Sequence, residues 1–186
     1  MPEHRLISDF VIPLPLERVF AFFADAANLE RITPPWLNFS ILTSMPITLE
    51  RGALIDYRIR LRGIPIRWRT RIAEWNPPHS FVDEQLKGPY ALWHHTHEFF
   101  PVPDELGGGT RMIDTVRYRI PFGPLGEIAR RLFVTRDLER IFAYRRDNLA
   151  SLLGVSPRPS AGPSPSKVRP AEDPRTPPIL LVAQAR

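Results

Sequence analysis

Residues 123–154 read GPLGEIARRLFVTRDLERIFAYRRDNLASLLG, and this stretch decides the fold. Pro124 stands where a first helical turn tolerates a missing N–H, and Gly154 where a left-handed C-cap falls. Between them Leu138, Ile141, Phe142, Leu149, Leu152 and Leu153 recur at helical spacing, which lines them along one face. The earlier apolar set, Leu125, Ile128, Ala129, Leu132 and Phe133, runs in a different phase. A break or kink is therefore expected near Val134-Thr135-Arg136, with Thr135 capping the second segment. Arg145 lies midway between Ile141 and Leu149 on the buried stripe, so it points where they do. A helix this apolar has to lie against something broad, and the preceding chain supplies strands.

From Ala53 the sequence alternates. Ala53, Ile55, Tyr57, Ile59 and Leu61 share one side, with Asp56, Arg58, Arg60 and Arg62 on the other. Past a hairpin turn at Gly63, Ile64, Ile66, Trp68, Thr70 and Ile72 alternate with Arg67, Arg69 and Arg71. Period two over two strands gives one apolar face and one arginine face. Further strands follow at Phe81–Lys87, Ala91–Val102 and Thr110–Ile120, separated by Gly88-Pro89 and Gly107-Gly108-Gly109. Upstream, Leu6–Ile12 is a first strand and Phe39–Thr43 another. Between these two, Leu16, Val19, Phe20 and Phe23 form a short helix opened by Pro15. Asn28 caps a second short helix, which Pro34-Pro35 ends. Tight turns make the strands an antiparallel meander, and the C-terminal helix is its only cover of matching length.

The 186 residues suffice for one domain with a real core. Residues 1–154 form that domain. Residues 155–186 are rich in proline, serine and arginine and read as a disordered tail, with Ile179-Leu180-Leu181-Val182 a small apolar tip. There is no cysteine, which excludes disulfides, thiolate metal sites and cysteine nucleophiles. No signal peptide is visible and no apolar run is long enough to span a bilayer, so a soluble cytoplasmic protein is expected. The net charge of +5 permits an anionic partner without requiring one. The outward arginines read as a solvated face paired with Glu74, Glu84 and Glu98, so no stable nucleic-acid or membrane partner is expected.

The inner face carries the chemistry. Trp93, His95, His97 and Phe99 share one side of their strand, Asp114 and Tyr118 go with them on the next, and Asp83 and Gln85 on the one before. Together with Tyr57, Trp68, Phe142 and Arg145 they form the candidate ligand-binding set: aromatic walls, and a polar group able to orient one end of a guest. Arg145 is expected to make an inward salt bridge with Asp83 or Asp114, because an unpaired buried charge is costly. The alternative is a satisfied core network of the same residues. Two histidines at i, i+2 with a carboxylate are compatible with a metal, and a His–Asp pair with a general base, but the spacing is weakly specific. No metal and no cofactor is expected, and catalytic residues are not assigned. No nucleophile elbow, phosphate-cradling loop or dinucleotide fingerprint is present.

Several runs carry a resemblance over about Arg5–Gly154. They are Leu14-Pro15-Leu16-Glu17-Arg18-Val19-Phe20, Asp83-Glu84-Gln85-Leu86-Lys87-Gly88-Pro89-Tyr90, Trp93-His94-His95-Thr96-His97-Glu98-Phe99, Gly109-Thr110-Arg111-Met112-Ile113-Asp114, and Leu132-Phe133-Val134 with Ile141-Phe142-Ala143-Tyr144-Arg145. In these the chain resembles the SRPBCC superfamily, the START-like, helix-grip group of lipid-transfer domains, pollen-allergen-like proteins and polyketide cyclases. It is most similar to the bacterial ligand-binding, polyketide cyclase/dehydrase-like subgroup. The resemblance implies an α+β helix-grip fold: a curved seven-stranded antiparallel sheet around a long C-terminal helix, with two short helices after the first strand. It also implies an apolar cavity between sheet and helix. The expected function is binding of a small hydrophobic, aromatic or lipid-like molecule there. The alternative is a cyclase, dehydratase or hydrolase using histidine and aspartate as acid and base. The superfamily holds both carriers and enzymes, so both stay open.

Overall fold

The computed structural model describes residues 2–160 and 169–170. Strand β1 (His4–Ile12) leads into α1 (Leu16–Phe23) and α2 (Asn28–Ile32); then follow β2 (Ser40–Ile41), β3 (Leu54–Leu61), β4 (Ile64–Asn76), β5 (Ser80–Lys87), β6 (Leu92–Pro101) and β7 (Thr110–Arg119). The antiparallel order is β2-β3-β4-β5-β6-β7-β1. These are the seven expected strands. Two further segments of two residues, β8 (Arg158–Pro159) and β9 (Arg169–Pro170), pair with the outer edge of β1. The first residues past Gly154 thus lie along the sheet edge. Residues 161–168 and 171–186, with the tail's apolar tip, fall outside the described residues.

Local chemistry accounts for the sharpest turns. Arg62 and Gly63 join β3 to β4 with φ of 51° and 84°, the pair of left-handed residues that a two-residue hairpin requires. The second short helix departs from the expected cap. Asn28 is buried inside it and its side-chain amide donates to the Phe22 carbonyl, while Asp25 accepts from the Ala27 N–H just ahead of it. The elbow between α1 and α2 is thereby fixed from both sides.

The C-terminal helix does not break. α3 (Gly123–Ala129) runs through one π-helical turn (Arg130–Val134) into α4 (Thr135–Leu153). Thr135 has helical angles and is no cap; its hydroxyl accepts a hydrogen bond from Arg130 at 3.0 Å. The wider π turn rotates one segment against the other, which is the phase change visible in the sequence. α4 then packs its stripe onto the sheet. Leu138 and Phe142 join Leu6, Val116 and Tyr118, and Leu149 joins Phe10, Ile12 and Phe99 beneath α1. The apolar side of α3 does not dock: Leu125 and Ile128 are 74% and 56% exposed. What holds α3 is Gly126, tight against the Pro121 carbonyl, and Glu127, bonded to Arg130 and, at 3.0 Å, to His4.

Candidate functional site: a cavity with a histidine–aspartate corner

Where α4 and the α1–α2 elbow arch over β3–β6 a cavity remains. The space open to the centre of a water-sized sphere is about 170 Å³. One trapped water needs roughly 10–15 Å³ on this measure, so the hollow is many times larger than a single water requires. Its aromatic wall comes from Tyr57, Trp68, Tyr90 and Trp93. Tyr57 stacks on Trp68 at 5.8 Å between ring centres, and Trp93 meets Trp68 edge-on at 5.3 Å. The Tyr57 hydroxyl shares a hydrogen bond with Thr70 at 3.2 Å, and burial pushes its pKa up, so it stays neutral. The indole N–H of Trp68 is buried and has no acceptor among the described residues.

One corner is polar because of strand register. Asp83 on β5 lies opposite His95 on β6, and His97 lies opposite Asp114 on β7. Inner-face residues two apart on three adjacent strands therefore form a checkerboard, each imidazole touching both carboxylates. His95 Nε2 is 3.1 Å from Asp114 Oδ1 and its Nδ1 is 3.4 Å from Asp83 Oδ2. His97 Nε2 is 3.0 Å from Asp83 Oδ2, and its Nδ1 is 2.7 Å from Asp114 Oδ1, too oblique for a hydrogen bond but a close charge contact. The two imidazole centres lie 3.8 Å apart with the rings tilted by 38°, Phe81 stacks on His97 at 4.1 Å, and Phe142 meets His95 edge-on at 5.7 Å.

Electrostatics separates the two histidines. Burial would lower both, yet the Asp114 and Asp83 carboxylates overcome it at His97 and raise its pKa. At His95 burial wins, helped by the positive charge on His97, and the pKa falls. Burial also works against both carboxylates, and the histidines more than offset it. Asp83 and Asp114 are both held below the usual carboxylate range, Asp114 far below. Asp83, His95 and His97 face the cavity, whereas Asp114 lies behind them. Arg145 also lines the cavity, its guanidinium 5.5 Å over the Phe142 ring. It makes no ion pair among the described residues; the expected salt bridge is absent because the histidines occupy both acids.

A profile of the family described as "Polyketide cyclase / dehydrase and lipid transport" matches residues 12–143. The chain belongs to that family. The match takes in all four members of the polar corner and stops two residues short of Arg145. Among solved structures, CV1439 from Chromobacterium violaceum is similar with a TM-score of 0.60 and 16% identity, over 80% of this chain and 96% of that one. TTHA0849 from Thermus thermophilus gives 0.56 and 18%, over 80% and 98%. A Rhodobacter sphaeroides protein gives 0.57 and 20%, over 81% and 91%. At these identities the likeness concerns the fold. No curated protein sequence matches the chain. Membership of the polyketide cyclase / dehydrase and lipid transport family supports a ligand-binding or cyclase role in general terms.

Of the residues singled out by sequence, Tyr57, Trp68, Asp83, Trp93, His95, His97, Phe142 and Arg145 line this one cavity. Four do not. Phe99 is sealed under Phe20 and Phe23, at 5.5 and 5.4 Å, in the closed part of the core. Tyr118 is fully buried beside Leu6 and Val116. Gln85 spends its side chain on the β5–β6 turn, donating to the Tyr90 carbonyl at 2.7 Å and accepting from its N–H. Asp114 supports the histidines from behind. Sequence reasoning missed Tyr90, on a turn without alternation, and Phe22, Phe23 and Ile32 from the elbow. Of the last three only Phe23 lay on the apolar spacing of the first short helix; Phe22 and Ile32 carried no such signal. Among the described residues no helix is long and apolar enough to cross a membrane.

Proposed function

We propose that this protein is a cytoplasmic binding protein that encloses a small, largely apolar or aromatic, lipid-like molecule between sheet and α4. The observation that carries the reading is the cavity itself, with room for a guest many times the size of one water and walled by aromatic side chains. Its polar groups are few and placed together, so they orient one end of a guest. One of them is available: Arg145 lines the hollow and pairs with no carboxylate among the described residues. It favours a guest whose polar end is an acceptor, such as a carboxylate or carbonyl.

Native mass spectrometry of the purified chain, followed by thermal shift across fatty acids, aromatic acids and their neutral amides, tests this. A retained apolar compound, or stabilisation by acids above amides, is the expected result. No retained compound and no stabilising member of the panel sinks it. One observation favours a second reading as a cyclase-type enzyme: His95 is held by Asp114 with its other nitrogen on the cavity side, the placement a general base needs. Turnover of a cyclisable or hydratable aromatic substrate, lost in His95→Ala, would separate catalyst from carrier.

A further inference from the structure

The polar corner contains more nitrogen–carboxylate contacts than neutral imidazoles can serve. Each neutral ring carries one N–H, yet both nitrogens of both rings face a carboxylate oxygen within 3.4 Å. With both rings neutral, two of the four contacts lack a proton between them, and a charge on His97 supplies only one of the two. The contacts divide by side. Asp114 Oδ1 takes His95 Nε2 and His97 Nδ1 at the back, away from the cavity. The opposite nitrogens, His95 Nδ1 and His97 Nε2, converge on the single atom Asp83 Oδ2 at the cavity wall.

We propose that Asp83 Oδ2, His95 Nδ1 and His97 Nε2 bind one first-row transition-metal dication at the cavity wall, with Asp114 orienting both imidazoles from behind. The spacings suit it. Bonds of about 2.0–2.2 Å at tetrahedral or octahedral angles set neighbouring donors about 3.0–3.5 Å apart. Here the oxygen lies 3.4 and 3.0 Å from the two nitrogens, and the three residues bring one ligand atom each to within 4.8 Å of the others. A carboxylate on the outer nitrogen of a coordinating histidine is what fixes ring and tautomer at metal centres; Asp114 does so for His95 by a hydrogen bond and holds His97 by a close charge contact. Two imidazoles and one carboxylate suit zinc, iron, cobalt or nickel better than magnesium or calcium, which take oxygen donors. Three protein donors leave coordination positions open, and those positions face the hollow. The proposal requires the cavity but not the identity of its guest. It makes the metal, where bound, the anchor for a guest oxygen and His95 a ligand in place of a base.

The test uses the untagged full chain, dialysed against a chelator and titrated separately with zinc and cobalt(II) chloride. Expected are one ion per chain by elemental analysis, and a visible cobalt spectrum of a low-coordinate nitrogen–oxygen site. Asp83→Asn, His95→Gln and His97→Gln should each abolish stoichiometric uptake. Asp114→Asn should retain one ion with affinity lowered about 10–100-fold, the signature of a positioning residue. Since these variants can lose their fold, imidazole nitrogen resonances of the unmutated chain give an independent readout. Zinc should shift Nδ1 of one buried histidine and Nε2 of the other, leaving His4, His79 and His94 unmoved. The proposal is overturned if no ion binds stoichiometrically, if uptake survives in all three ligand variants with their fold intact, or if the shifted signals belong to the other histidines. An apolar naphthalene-sulfonate probe runs in parallel on the chelated protein. Probe binding without metal uptake overturns the metal and leaves the enclosed-guest reading standing. Metal uptake without probe binding does the reverse.

Discussion

Two leucines on one helix offer a controlled test of the hollow. Leu138 and Leu149 are 4% and 2% exposed, both on α4, and Ala is a good helix former at either position. Only Leu138 lines the cavity; Leu149 is enclosed by Phe10, Leu16, Phe20 and Phe99 in the closed core. Replacement by alanine removes about three carbons, or about 2.4 kcal/mol at roughly 0.8 kcal/mol each. At Leu149 the vacated volume becomes a new void, and the total should reach about 3–5 kcal/mol. At Leu138 the same volume merges with space already present, so the transfer contribution stands nearly alone. Leu149→Ala should therefore exceed Leu138→Ala by about 1–2 kcal/mol. Urea unfolding at constant m value, on protein stripped of copurified lipid, measures the difference. Probe capacity supplies the second readout: Leu138→Ala should enlarge or alter the bound probe population, and Leu149→Ala should leave it unchanged. Equal costs, or the reverse order, would mean that α4 closes on a packed interior.

Gly126→Ala should destabilise the protein although alanine favours a helix by about 0.8–1 kcal/mol, because its Cβ would collide with the Pro121 carbonyl oxygen; thermal melting that rises instead would refute the close approach. Leu125→Gln and Ile128→Gln should each change stability by less than about 0.5 kcal/mol, as expected of side chains this exposed, and a larger loss in urea unfolding would mean that the face is covered. Arg145→Leu should leave melting nearly unchanged, since no ion pair is broken, while weakening acidic apolar ligands more than their amides in competition titrations. Acid should expose the ion pairs that hold α3. The Arg130 guanidinium holds the Glu127 carboxyl at about 2, below its ordinary 4.5, so the stabilisation is complete above pH 4.5 and is lost as pH falls toward about 2. Melting temperature should decline through that window, and Glu127→Gln should flatten the decline.

The sheet was legible because water touches one side of it. Across β3 and β4, Arg58 faces Arg67 and Asp56 faces Arg69, while Tyr57 faces Trp68 and Ile55 faces Thr70. A strand with one wet face must alternate, and the two-residue turn at Gly63 sets the register. Several of the outward arginines found acids: Arg69 pairs with Asp56 through two of its three guanidinium nitrogens, and Arg71 with Glu84. Leu125, Ile128 and Leu132 share a helical face by spacing, but periodicity reports only which residues share a side. It does not report whether that side meets protein. The π turn that separates the phase of α3 from that of α4 has no residue signature of its own.

The site was half legible for a related reason. The inner face of a long strand passes from closed core into cavity without any change in sequence pattern. His95 and His97 thus open onto the hollow, while Phe99, two residues further along β6 on the same side, is sealed by Phe20 and Phe23. Depth is decided by what the elbow of α1 and α2 covers, and no property of β6 encodes it. The pairing of the charges had the same non-local origin. Arg145 could be placed inside by helical spacing, and two acids could be placed inside by strand spacing. Which cation reaches them first depends on register between β5, β6 and β7. Because that register sets Asp83 opposite His95 and Asp114 opposite His97, both acids find their partners within the sheet and not on the helix. The arginine is left facing the cavity, and the pocket's polarity becomes a histidine–aspartate corner on one wall with a cation on another.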